Sequence, residues 1–144
     1  MIETLLDMGL SQAELAEIRQ IGNSLETGWN EASGALFASR FAEDADYTVW
    51  NGQYVKGKQQ IEIGHERLFA GHYKGTHQRI ELAWARRLTA DVALAQFHGG
   101  ILESESWPTV KPLVVLHHKD GAWQIAAFQN SPIMNQTKVE ETRQ

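Results

Sequence analysis

The hydrophobic period of this chain changes partway along, and that change restricts its architecture more than any other feature. Up to Gly71 most apolar residues recur at spacings of three and four; beyond it they fall into runs of about ten residues that alternate. Helices first and long strands later is an α+β order. Ser11 and Glu14 form a capping-box signature, and Leu15, Ile18, Gly22, Leu25 and Trp29 behind it mark one face of an amphipathic helix. Ser33-Gly34 interrupts the pattern, and a second short helix is expected with Phe37 and Phe41 one turn apart. After Asp44 the period shifts briefly. Residues 45–50 read as a strand, Asn51-Gly52 as a hairpin turn and residues 53–55 as the returning partner. Gly57 opens a third helix whose face carries Ile61, His65 and Leu68, with Phe69 alongside, and Gly71 ends it.

Four strands are expected over 76–88, 92–103, 110–119 and 122–130. Their connections are Thr89-Ala90-Asp91, a polar segment 104–109 stiffened by Pro108, and the hairpin turn Asp120-Gly121. A meander of that length twists and curls. The apolar helix faces need a partner, and the concave side of the curled sheet supplies one. Helices laid across such a surface leave an internal pocket. The 144 residues contain no linker, repeat or low-complexity block, so the chain reads as a single domain over 1–144. Its core spans about 11–131, with a polar C-terminal tail over 132–144 whose end, Lys138 to Gln144, is expected to fray.

Composition removes several classes of function. The absence of Cys excludes disulfides, thiolate catalysis, thiolate zinc sites and iron–sulfur clusters. A net charge of −5 opposes binding to a phosphate backbone, so no nucleic-acid partner is expected. No apolar stretch approaches the ~20 residues of a membrane span. Met1-Ile2-Glu3-Thr4 lacks a basic segment followed by an apolar run, so a cytoplasmic location is expected and the sequon at Asn135 reads as accidental. Among the six His, His65 and His72 are separated by Gly71, and the adjacent His117 and His118 point to opposite faces of a strand. No metal site is expected. No Gly-rich phosphate loop follows a strand, so no nucleotide cofactor, and no cofactor of any kind, is expected.

His65 is the one titratable residue on the apolar stripe of the third helix. Two roles are open to it: a neutral imidazole acting as acid, base or donor near pH 7, or a core His whose ring nitrogen satisfies a buried backbone carbonyl. Trp29, Phe37, Phe41, Phe69 and Phe97 read as core aromatics, some of which line the pocket.

The run Trp29-Asn30, then Phe41 to Tyr47 (FAEDADY), Gly52, Gly57, Ile61, His65 and Phe69, and the closing residues 120–130 (DGAWQIAAFQN) resemble the SnoaL-like proteins of the nuclear transport factor two-like superfamily. The SgcJ/EcaC-type subgroup is the most similar. The resemblance covers residues 11 to 131. It implies a cone-shaped, cystatin-like α+β barrel in which N-terminal helices cover a curved antiparallel sheet, and a homodimer formed through the convex sheet face. It implies no single reaction, since relatives include isomerases, dehydratases, polyketide cyclases and proteins without catalysis. Matched to ketosteroid isomerase, the catalytic base position is Val49 and the oxyanion-supporting Tyr position is Leu25, so that chemistry is not expected here. The same match turns Tyr47 and Val49 inward and places Gln96 and His98 on the cavity side. One residue of slip in the strand would reverse the latter pair. Gln129 and Asn130 fall where the subgroup carries polar residues, Gln129 in place of a His.

Two functions follow. The first is a dimeric binding protein whose pocket holds a small hydrophobic molecule, with Trp29, Tyr47, Gln96, His98, Gln129 and Asn130 as its contacts. The alternative is an isomerase, dehydratase or polyketide cyclase acting on a small hydrophobic or polycyclic substrate, with His65 as catalytic acid/base. Asp46 has the opposite strand parity from Tyr47 and Val49, so no carboxylate faces the expected pocket, which favours binding.

Overall fold

Ser11 begins the first helix as its pattern requires. Its Oγ accepts from the Glu14 backbone N–H at 3.1 Å, and Glu14 Oε1 accepts from the Ser11 N–H at 3.0 Å. The computed structural model describes residues 9–134; the Met1–Thr4 segment, the sequon at Asn135 and the tail from Lys138 lie outside them. The elements run α1 (Gln12–Asn30), α2 (Gly34–Ala38), β1 (Phe41–Thr48), β2 (Tyr54–Lys56), α3 (Lys58–Ala70), β3 (Gln78–Thr89), β4 (Val92–Ile101), β5 (Leu113–Lys119) and β6 (Ala122–Gln129). The six strands form one curved sheet in the order β2-β1-β6-β5-β4-β3. All neighbours are antiparallel except β1 and β6, which run parallel. The α+β class read from the sequence is the class observed.

α1 lies against the sheet through Leu15, Ile18, Ile21, Leu25 and Trp29. Each such side chain removed from water contributes about 1.5–3 kcal/mol. Two glycines let the helix approach: a Cβ at Gly22 would sit 2.8 Å from the Phe97 ring, and one at Gly28 would collide with the Phe37 backbone. β3 is an edge strand, and α1 caps part of its free edge. Glu26 Oε1 accepts from the Ile80 N–H at 2.8 Å, and Asn30 exchanges two hydrogen bonds with the Gln78 backbone. At the other end Arg87 pairs with Glu14 and donates to the Gly9 carbonyl.

Two boundaries and one strand register differ from the periodicity. Phe41 is not a helical residue but the first residue of β1, because it pairs in parallel with Ile125 and the Arg40 carbonyl accepts from the Ile125 N–H at 2.8 Å. Its ring still stacks on Phe37, 6.0 Å between centroids. β5 begins at Leu113 rather than Val110, since Pro112 has no N–H to give to a ladder and Val110 forms only isolated bridges to Gly99 and Pro132. β6 carries a register shift opposite Val115/Leu116, where Ala126 is the unpaired extra residue. Ile125 and Phe128 therefore both face the core, although their spacing of three puts them on opposite faces of a regular strand.

Candidate functional site

Between α1, α3 and the concave side of the sheet lies a cavity of about 720 Å³. One turn of α3 builds its centre. Ile61, His65 and Phe69 form the buried stripe of that helix. The His65 Nδ1–H donates to the Ile61 carbonyl at 2.8 Å. A carbonyl only accepts, so the neutral ring keeps its proton on Nδ1 and a lone pair on Nε2. The ring stacks on Phe37 at 3.8 Å and meets the edge of Tyr47 at 5.6 Å. Burial pulls the His65 pKa down to about 4, against a smaller opposing effect of the Ile61 carbonyl. Of the two roles open to His65, satisfaction of a buried carbonyl is the one its Nδ1 performs.

Tyr47 stands on β1 with its ring stacked on Phe128, 4.8 Å apart and 9° from parallel. Burial pushes its phenol far above the usual range. Neither the Tyr47 hydroxyl nor His65 Nε2 bonds to another described residue, and both residues line the cavity. Asn130 follows β6, and its backbone N–H continues the ladder to the Thr48 carbonyl at 3.0 Å. Asn130 is among the residues that line the cavity, while its side-chain Oδ1 is buried away from that space without a hydrogen-bond partner. Trp29 forms a wall with its edge contacts to Phe69 and Tyr73. Its indole N–H is already taken by Thr76 Oγ1 at 3.1 Å, so the wall is fixed by the protein itself.

Gln96, His98 and Gln129 stand elsewhere. On β4 the set facing α1 is Ala93, Ala95, Phe97 and Gly99, with Phe97 touching Gly22. Gln96 and His98 are on the opposite, convex face, one residue out of the expected parity. There Gln96 Oε1 accepts from Trp84 Nε1 at 3.2 Å. Gln129 is exposed, in register with Leu113 and Thr48, because the extra residue at Ala126 turns Phe128 and Asn130 inward instead.

The structure also brings in residues that the sequence reading passed over. Gln60, Gly64 and Arg67 join Ile61, His65 and Leu68 on the cavity face of α3, and the helical spacing around His65 was sufficient to find them. Trp50, Asn51 and Gln53 come from the β1–β2 turn. Exposure grades from Tyr47 and His65, both 6% exposed, to Trp50 at 52%, so the turn and the C-terminal end of α3 form the mouth. Val49 and Leu25 both line the cavity, leaving apolar groups at the two positions matched to an isomerase base and Tyr. Among the described residues no Asp or Glu lines it, and Asp46 points to the other face, where it accepts from Tyr54 and from Lys56 at 3.0 Å. No group of three or more His, Asp or Glu among the described residues is placed to hold a metal ion. No described helix is long and apolar enough to cross a membrane.

No family model matches this sequence, and no curated protein matches it. Solved structures do. A domain of unknown function with a cystatin-like fold from Nostoc punctiforme PCC 73102 superposes with a TM-score of 0.81, covering 93% of this chain and 86% of that one at 24% identity. An NTF-2 like protein of unknown function from Shewanella oneidensis MR-1 gives 0.70, with 81% and 98% covered at 14% identity. A ketosteroid isomerase-like protein from Erwinia carotovora atroseptica SCRI1043 gives 0.67, with 87% and 100% covered at 19% identity. At these identities the likeness is one of architecture, and this chain has the cystatin-like, NTF-2 like α+β fold.

Proposed function

We propose that this chain is a SnoaL-like binding protein whose internal cavity holds a small hydrophobic molecule. The observation that carries the reading is the neutrality of the polar groups at its centre. His65 is uncharged well below pH 7, burial keeps the Tyr47 phenol protonated, and Asn130 is an amide. Such a lining offers aromatic surface and a few hydrogen bonds that orient a ligand. The alternative, an isomerase, dehydratase or polyketide cyclase centred on His65, needs a base matched to neutral pH. A ring with a pKa of about 4 whose Nδ1 is committed to Ile61 is poorly suited to that task.

The assembly that goes with this reading is a homodimer through the convex face of the sheet. Leu94 and Val115 lie opposite each other there, with Leu113 and Trp84 beside them, half-buried or exposed and facing away from both long helices.

Native mass spectrometry and thermal shift against a panel of flat hydrocarbons, phenols and polycyclic quinones test the binding function. Saturable one-to-one binding that quenches tryptophan emission is the expected result. A correctly folded protein that binds none of the panel overturns it.

A further inference from the structure

α3 contains a glycine that the rest of the chain does not explain. Gly64 lies at the centre of the helix Lys58–Ala70, where glycine costs about 1 kcal/mol relative to alanine. The other helical glycines make room for neighbours: Gly22 for Phe97, Gly28 for Phe37, Gly34 for the Glu62 carbonyl. A Cβ on Gly64 would meet nothing within 4 Å, and the space it would enter is the cavity. The helix backbone at Gly64 is thus left without a side chain toward an empty volume.

Arg67 follows three residues later on the same face and lines the cavity at its mouth. Arg40, Arg79 and Arg87 each pair with a carboxylate; Arg19, Arg67 and Arg86 have no ion pair among the described residues, and of these three only Arg67 lines the cavity. Its helical neighbours at three and four residues are Ile63, Gly64, Ala70 and Gly71, so α3 places no acid at the positions that face it. Across the chain acidic residues outnumber Lys and Arg by 18 to 13, yet none lines the cavity among the described residues. The cavity is therefore locally basic in an acidic protein.

We propose that the cavity takes a flat, apolar organic anion, its body against the bare backbone at Gly64 and its charged group at the Arg67 guanidinium. This rests on the reading of the cavity as a ligand site and names the ligand's chemical class. A planar body suits a patch without a side chain, and the stacked Tyr47–Phe128 pair supplies an aromatic wall.

Two fluorescent probes with the same anilinonaphthalene body separate the terms: anionic 8-anilinonaphthalene-1-sulfonate and neutral N-phenyl-1-naphthylamine. In titrations of the full chain the anion should bind about five-fold more tightly, as a rim ion pair allows, and added salt should erase that margin. Arg67→Gln should abolish the margin and leave the neutral probe unchanged. Gly64→Leu should weaken both probes about ten-fold by filling the space, and Gly64→Ala, which keeps the fold, should weaken them less. A margin that survives Arg67→Gln, equal binding of the two probes by the native chain, or native affinity for both in Gly64→Leu overturns the proposal. Failure of both probes to bind the native chain overturns the ligand-site reading itself, and this proposal with it.

Discussion

The Nδ1–H of His65 donates to the Ile61 carbonyl one turn earlier in the same helix, across 2.8 Å, while the ring face lies on Phe37. The contact fixes the tautomer and holds the imidazole in an apolar stack where a second proton is disfavoured. Its pKa is about 4 in the folded protein against 6.5 ordinarily. Above pH 6.5 neither state carries the extra proton and stability is unaffected. Between pH 6.5 and 4 the unfolded chain binds a proton that the folded one refuses, so stability falls as pH falls. The loss across that window is about 3 kcal/mol. Urea midpoints from pH 7 to 4 should drop more steeply for the native chain than for His65→Gln, and the His65 ring resonances should titrate near pH 4. Parallel pH curves for the two proteins would refute the assignment.

Asn130 Oδ1 is a buried acceptor without a donor. Replacing it with an apolar group of similar volume removes a desolvated polar atom. Asn130→Leu should therefore raise stability by roughly 1 kcal/mol in urea unfolding. An unchanged or lower urea midpoint would show that this oxygen carries no desolvation penalty.

Gly64 and Gly28 should respond oppositely to the same change. Gly64→Ala adds a methyl group to open space and improves helix propensity, for a gain of about 0.8–1 kcal/mol. Gly28→Ala drives a methyl into the Phe37 backbone and should cost roughly 1–3 kcal/mol or more through displacement of α2. Thermal unfolding of both variants checks the pair.

Glu17 ties α1 to the start of β6. Its Oε2 accepts from Arg40 Nη2 and from the Trp123 N–H, each at 2.8 Å, while Arg40 donates to the Trp123 carbonyl. Glu17→Ala leaves the Trp123 N–H without this acceptor and should cost roughly 1–3 kcal/mol, the half-exposed ion pair itself being a small part. Glu17→Gln retains an acceptor and should cost less than half as much by urea denaturation.

Assembly through the convex face makes a separate prediction. Val115→Glu places a charge at the centre of the Leu94–Val115 strip and should convert the dimer to a folded monomer by light scattering. The same mass for native and variant chains would exclude this face as the interface.

Much of the fold was legible because its signals are local. A capping box and an apolar stripe depend on residues three and four apart, so α1 and the inward face of α3, with His65 on it, could be read directly. The same stripe should have yielded Gly64. It was passed over because a glycine has no side chain to register in a hydrophobic pattern.

Strand faces were harder. β4 alternates Ala93, Ala95, Phe97 and Gly99 against Leu94, Gln96 and His98, and neither set is decisively more apolar. The small residues are buried because α1 presses close there, with Gly22 on Phe97. That contact links residues far apart in sequence, so Gln96 and His98 came out on the wrong side. Gln129 was misplaced by the extra residue at Ala126, whose effect exists only in the pairing of β6 with β5.

The sequence by itself determined the helices, the hairpin turns, the strand-rich second half and the α+β class, because these follow from spacing and turn chemistry along the chain. Tertiary structure alone decided which strand faces became interior, that β1 joins β6 in parallel, and that Arg67 stands at a cavity mouth without an ion pair among the described residues. Those outcomes depend on which distant surfaces meet, and burial is settled only when they do.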